Sequence, residues 1–325
     1  MIAVAVVGLG WWGQHLLRIL GAPGSSLQVV ATVDPDPAKG STHRTLSEVL
    51  ALAEVDAVVL CTPHSTHHAQ ILECAAAGKH VFCEKPLALT SVDASSAVAA
   101  CREAGLVLGI GHERRFEPGM QRVKELVQGR SLGEIMHAEA AFSHDKFRGL
   151  EATSWRGMAA DAPAAGMTGM GVHLTDAFTW MLGPIAEVHA YVARRVLPLE
   201  SGDVVSVHLR FESGATGAFS AVSATPFFAR YAVFGSEAWV ENREIRHPEE
   251  GTETESILVP REGGSTRRQF PRMDPTLANL NAFADAVGGG EPYLFTDAEL
   301  VHNVAVLEAI VASAASGSPA AVRSS

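Results

Sequence analysis

Two regimes of hydrophobic patterning divide the chain. Over roughly the first 110 residues, short unbroken apolar runs alternate with stretches of helical spacing. The runs are Ile2-Ala-Val-Ala-Val-Val7, residues 27–33, Ala57-Val-Val-Leu-Cys61, residues 80–83 and residues 106–110. Such runs suit strands covered on both faces, as in a parallel sheet. Between them the spacing predicts helices over residues 12–20, 47–53 and 66–77, and one from the cap Thr90-Ser-Val-Asp93 to about residue 104. Gly78 supplies a stop for the third of these. Strand–helix alternation with short connections predicts a doubly wound parallel sheet.

Beyond Pro118 the period changes. One helix over 119–127 leads into long strand-like runs at 134–142, 186–193, 203–211, 215–222 and 231–241. Val205-Ser-Val-His-Leu-Arg-Phe211 alternates apolar and polar residues, as a strand with one buried face must. Gly214, Gly235 and the pair Gly263-Gly264 read as hairpin turns. A helix is inserted over 172–182, and two more close the chain over 277–287 and 298–316. The fold class is therefore α/β: a doubly wound domain over 1–118, then an α+β domain over 119–325 built on a mainly antiparallel sheet. The tail 317–325, small and polar, is expected to fray.

Composition narrows the partners. The 325 residues carry 25 basic and 36 acidic side chains, a net charge of −11. Nucleic acid and anionic membranes call for basic surface, so neither is expected as a partner. No apolar run reaches the length needed to span a bilayer, and the chain starts directly on a strand with no signal-peptide pattern. Cys61, Cys74, Cys83 and Cys101 form no C-x-x-C pair and read as reduced, structural thiols of a cytoplasmic protein. No metal site is expected.

The candidate chemistry sits at strand ends. Gly8-x-Gly10-x-x-Gly13 follows the first strand and opens a helix, with Trp11 and Trp12 inside the loop. Glycines there permit a tight turn and close approach of a pyrophosphate, which the helix N-terminus attracts. Asp34 ends the second strand, about twenty residues on, where it accepts ribose hydroxyls and repels a 2′-phosphate. Pro35, Asp36 and Pro37 follow it rather than Arg or Ser, which favours NAD over NADP. Thr62, Pro63 and His67 lie after the third strand as a wall of the cofactor site; an ordinary capping loop is the competing reading. Glu84-Lys85-Pro86 ends the fourth strand. Lys85 is placed to bond a substrate hydroxyl or, if desolvated, to take its proton, with Glu84 orienting it. His112 and Arg114 leave the fifth strand, where a cleft between domains would form; salt bridging is the competing reading for Arg114 and Arg115. Trp155-Arg156 and the Gly-rich run ending in His173, with Asp176 one turn on, complete the set, His173 as acid/base partner.

Taken together, these motifs resemble the Gfo/Idh/MocA oxidoreductases. The resemblance runs almost end to end, including Asn281-Ala-Phe-Ala-Asp-Ala286 and Leu307-Glu-Ala-Ile310. It implies an N-terminal Rossmann domain, a C-terminal domain with a large open sheet used in homodimers or homotetramers, and hydride transfer between a nicotinamide and a secondary alcohol or ketone of a sugar or cyclitol. It assigns catalysis to Lys85 and His173, with His112, Arg114, Trp155 and Arg156 toward the substrate. Inositol-dehydrogenase-like members carry an Asp four residues before the histidine; here that position is Gly169, leaving Asp161 and Asp176 as candidate replacements. An NAD-retaining glycosidase working by transient oxidation and a cofactor-sensing regulator are alternative functions. Residues 143–163 and the face of the C-terminal sheet are expected to set the substrate.

Overall fold

A computed structural model describes residues 1–151 and 154–323. Ala152 and Thr153, within the stretch expected to set the substrate, lie outside the described residues, as do the last two residues of the tail. The chain forms two compact units, Met1–His112 with Thr276–Val304, and Glu113–Pro275 with the chain from Ala305 onward.

The first unit holds five parallel strands, β1 (Ile2–Val7), β2 (Leu27–Val33), β3 (Ala57–Leu60), β4 (His80–Cys83) and β5 (Leu108–Ile110), in the order β2-β1-β3-β4-β5. Helices α1 (Trp11–Leu20), α2 (Leu46–Leu50), α3 (His67–Ala76) and α4 (Ser91–Glu103) connect them. The order reverses between β1 and β3, and in open sheets ligands bind in the crevice at such a reversal. Register decides what lines that crevice. Val7 pairs with Val33 and Leu60, Leu60 with Cys83, and Cys83 with Ile110. The residues that follow, Gly8, Asp34, Cys61, Glu84 and Gly111, therefore leave the sheet along one edge.

The second unit begins with α5 (Pro118–Gln128), β6 (Ile135–Ser143) and α6 (Val172–Leu182). Seven strands follow: β7 (Ile185–Ala193), β8 (Val204–Phe211), β9 (Thr216–Val222), β10 (Phe228–Gly235), β11 (Ala238–Glu244), β12 (Thr252–Pro260) and β13 (Thr266–Met273). Then come α7 (Pro275–Val287), α8 (Asp297–Ser316) and β14 (Ala320–Ala321). The nine strands run β13-β12-β11-β10-β6-β9-β8-β7-β14, antiparallel except for β6 beside β9. One face packs on α5, α6 and the end of α8 through Val123, Phe178, Val207, Phe219 and Ile310.

Four features depart from the sequence expectation. First, the boundary near 118 is not a single crossing, because α7 and the start of α8 pack into the first unit. Leu280 and Phe283 join Val4, Leu16 and Phe82 in its core, and a side chain on Gly109 would strike the Phe82 and Phe283 rings at 2.8 Å. Asn279 and Tyr293 donate to the Ile110 carbonyl. Second, the sheet goes on beyond the run 231–241: the turn at Gly235 separates β10 from β11 as expected, and β12 and β13 add two further strands. Third, the tail pairs rather than frays: β14 lies on β7, and the Val322 amide donates to Ala186. Fourth, α8 is long and apolar enough by composition to cross a bilayer, with mean hydropathy 1.4. Val304, Ala305, Leu307 and Ile310 along it are buried in the fold.

The inner surface of β10–β12 is polar yet buried. Tyr231 pairs across from Asn242, Asn242 from Ser256, and Glu244 from Thr254, so these side chains share one buried patch. Arg114 enters it, bonded to Glu244 and 3.5 Å from Glu117, so one guanidinium serves two carboxylates. Burial, and then the neighbouring Glu244, push the Glu117 carboxyl well above its ordinary value, against the opposing pull of Arg114. A native state that holds this proton loses stability as pH rises from the ordinary glutamate range through the raised value. Glu117→Gln fixes the neutral form. In thermal melts it is expected to exceed the wild-type stability at pH 8 by about 1 kcal/mol or more, with the difference gone near pH 4.

Candidate active site

The glycine loop is shaped by close contact rather than by flexibility alone. Gly8 has φ +90°, and a side chain there would meet the Cys61 carbonyl oxygen at 2.7 Å. A side chain on Gly13 would run into the Gly8 carbonyl, whereas one on Gly10 would meet nothing within 4 Å. So Gly8 and Gly13 lock the turn against β3, while Gly10 leaves open space above the first turn of α1. That space, at a helix N-terminus, fits a pyrophosphate. Trp11 is exposed beside it and Trp12 is half-buried, stacked near His15. The Asp34 carboxylate accepts from the Leu9 amide at 2.8 Å and from the Asp36 amide at 2.9 Å. Each oxygen keeps a lone pair for a ribose hydroxyl. The fold also brings up a cation that the residues directly after Asp34 gave no hint of: Arg44 donates to the carbonyls of Asp34 and Asp36.

The loops after β3 and β4 are joined by one histidine. His67 is fully buried, its Nδ1 2.8 Å from the Pro86 carbonyl and its Nε2 3.1 Å from the Thr62 carbonyl. Burial pulls its pKa below the ordinary value. His67 is thus a brace between the two loops rather than a group facing a cofactor, and the expectation is corrected in that sense. The Thr62 hydroxyl donates to Gln70 at 2.5 Å and accepts from Thr66 at 3.0 Å, leaving Thr62 and Pro63 as a firm wall. Glu84 is buried against Gly111, where a side chain would collide with its carboxylate, and it accepts from the Lys85 amide. The Lys85–Pro86 peptide is cis. Lys85 itself is half-buried at the strand end. The unit thereby gathers Gly8, Gly10, Gly13, Asp34, Thr62, Pro63, Glu84 and Lys85 along one edge of the sheet.

Two residues expected toward the substrate are committed elsewhere. His112 is buried with Nε2 2.9 Å from the Asn303 amide, and Arg114 lies in the carboxylate patch with its guanidinium 4.1 Å over the Phe142 ring. Arg115 grips Asp176 with two bonds, Nε to Oδ2 at 3.0 Å and Nη2 to Oδ1 at 2.6 Å. Asp176 is therefore consumed by an ion pair. The carboxylate nearest His173 belongs to Glu113, whose Oε2 lies 3.7 Å from Nδ1, both side chains buried. Trp155 and Arg156 stack on each other at 4.4 Å and stay half-buried.

His173 opens α6 directly after a π-helical turn, Met167–Gly171. Such turns recur at functional sites. Gly169 sits inside it, and a side chain there would meet the Phe147 ring at 2.9 Å. An aromatic edge occupies the space an acid would need. Phe147 continues into a cluster: His144 at 5.3 Å, His144 to Phe142 at 5.7 Å, Phe142 to His173 at 6.1 Å, with Phe227 and His247 against Phe142.

Comparison with known proteins agrees with both halves. Residues 2–112 match the model of the oxidoreductase family with an NAD-binding Rossmann fold, and residues 120–241 match the GFO/IDH/MocA C-terminal domain. The chain belongs to the Gfo/Idh/MocA family. It is an NAD-binding oxidoreductase. Among curated relatives, scyllo-inositol 2-dehydrogenase (NAD(+)) of Bacillus subtilis is 25% identical, the match covering 98% of this chain and 95% of that protein. The 2,7-anhydro-N-acetylneuraminate hydratase of Escherichia coli is 28% identical, over 66% of this chain and 60% of that protein, so the chain spans less than two thirds of it. A solved levoglucosan dehydrogenase in complex with NADH shares the fold, with TM-score 0.83 at 18% identity and 99% coverage of both chains.

Within this Gfo/Idh/MocA oxidoreductase, Glu113 and Phe147 are the residues that sequence reasoning passed over. Phe147 stands in no motif, and Glu113, between His112 and Arg114, had no role assigned; only the fold sets them beside Gly169 and His173. Because Phe147 fills the place a side chain on residue 169 would take, the two positions are coupled. Gly169→Asp alone is expected to destabilise the protein, and Phe147→Ala to relieve it. Thermal melts of the two single variants and the double variant should give a coupling of about 0.5–3 kcal/mol.

Proposed function

We propose that this oxidoreductase transfers hydride between NAD and a secondary alcohol or ketone on a sugar or cyclitol. Bound along the edge formed by Gly10, Asp34 and Thr62, NAD would supply the hydride acceptor through its nicotinamide. In the oxidative direction Lys85 donates to the carbinol oxygen and so favours its developing negative charge, and His173 takes the proton. Holding the reactants in contact contributes further acceleration. The observation that carries the reading is the position of Lys85, half-buried at the end of β4 on the same sheet edge as the dinucleotide loop.

The substrate class rests on kinship and on surroundings. The Bacillus relative is named for a cyclitol. Phe147, half-buried beside Gly169, offers an apolar edge suited to the C–H face of a saturated ring, while Trp155 and Arg156 supply a half-buried polar edge. A second reading is an NAD-retaining glycosidase, in which hydride is taken up by NAD and later returned so that the net reaction releases no NADH; a relative named as a hydratase, a reaction without net redox change, is in keeping with it. Met136 and Tyr191, exposed on the sheet, support a homodimer or homotetramer. Burial raises the Cys74 thiol to about 12 and the Cys101 thiol to about 11, so both are inert, structural thiols.

Lys85→Ala is expected to keep NAD binding, measured by calorimetry, and to lose about a hundred-fold or more in turnover across a polyol panel. Turnover close to wild type in that variant would overturn the assignment of Lys85.

A further inference from the structure

We infer that Glu113 is the positioning acid for His173, in place of a carboxylate at position 169. The inference rests on the proposed role of His173 as proton acceptor. Three observations carry it. Position 169 is closed to an acid by the Phe147 ring. Asp176, the acid one turn along α6, is held by Arg115 through both oxygens. Glu113 lies 3.7 Å from His173 Nδ1, with both side chains buried.

The Arg115–Asp176 pair also explains why Glu113 is where it is. Glu113 and Arg115 belong to one short turn, Glu113–Phe116, and Asp176 is three residues beyond His173 on one helix. Gripping Asp176 fixes the register of that turn against α6 and leaves Glu113 opposite the imidazole. A carboxylate facing Nδ1 favours the tautomer with its proton there, so that Nε2 is the free base. When Nε2 takes the carbinol proton, the imidazolium positive charge faces the Glu113 negative charge across a buried gap, where Coulomb attraction is stronger than in water. The proton moves from the carbinol oxygen to Nε2; the Glu113 carboxylate stays ionised throughout.

Other charged and titratable groups lie on the elements packed around His173. Arg114 lies over the far face of Phe142 and is bound to Glu244. Arg115 and Asp176 neutralise each other. From β6, His144 stands behind Phe142, and His247 packs on the same ring. From α5, Lys124 binds the Trp180 carbonyl, two turns further along α6.

The test is a carbon-13 histidine titration by NMR, with His173→Gln identifying the resonance, and a pH profile of alcohol oxidation. Glu113→Gln is expected to move the His173 titration down by about one pH unit, because the charge that favours the imidazolium is gone. The acid limb of the profile should move down with it, and kcat should fall about ten-fold while NAD affinity holds. Glu113→Asp should show a smaller shift in the same direction, and it carries the test should Glu113→Gln fail to fold. A titration unchanged in the variant would overturn the inference. If the titration moves but the wild type oxidises no polyol, the pairing stands and the proposed substrate fails. If polyols are oxidised and the titration is unmoved, the substrate reading stands and the pairing fails.

Discussion

Two neighbouring guanidinium groups, both withdrawn from water, hold the second unit's first turn in place. Arg114 and Arg115 are among the largest fully buried side chains of the described chain. Each would be costly to bury alone, and each is met by a carboxylate: Glu244 for Arg114, with the Glu117 carboxyl that burial keeps protonated beside it, and Asp176 for Arg115. Removing one partner of such a pair strands a charge and typically costs about 3–5 kcal/mol. Their effect is positional as much as energetic. Arg114 fastens the turn to β11 and supports Phe142; Arg115 fastens it to α6. Between these anchors Glu113 has little freedom over where it points.

This arrangement changes the meaning of the glycine at position 169. Read as sequence, it is a missing acid beside the histidine. In the fold it is the small residue that admits Phe147, and the acid comes from a turn some sixty residues upstream in the chain. The surroundings of His173 are thus aromatic on one side and anionic on the other. Rings there reward apolar contact, and the Glu113 carboxylate offers a counter-charge to a protonated imidazole.

Much of the fold could be read from the sequence because its signals are local. Continuous apolar runs marked the parallel strands, and the bounds of α6 agree with the inserted helix over 172–182. The glycine loop and Asp34 are also local, since turn and strand end lie within one βαβ unit. What escaped notice was nonlocal or polar. The inner face of β12 carries Thr252, Thr254 and Ser256 rather than aliphatic residues, and β13 is an edge strand rich in charge, so neither gives an apolar alternation. The return of α7 to the first core depends on Gly109 making room for Phe283, a fit that no periodicity announces. Arg114 looked like a ligand-facing cation because Glu244, the carboxylate it is bonded to, lies on a distant strand.

On the proposed function, NAD held at the β1–β3 edge exchanges hydride with a carbinol carbon of a cyclitol or sugar. The most direct measurement follows the hydrogen itself. A cyclitol deuterated at its carbinol carbons, incubated with the protein and NAD, should deliver its label to C4 of the reduced nicotinamide, with a slowed rate relative to the unlabelled substrate. Turnover that leaves the nicotinamide unlabelled, with deuterium lost to solvent or retained in the product, would contradict the account.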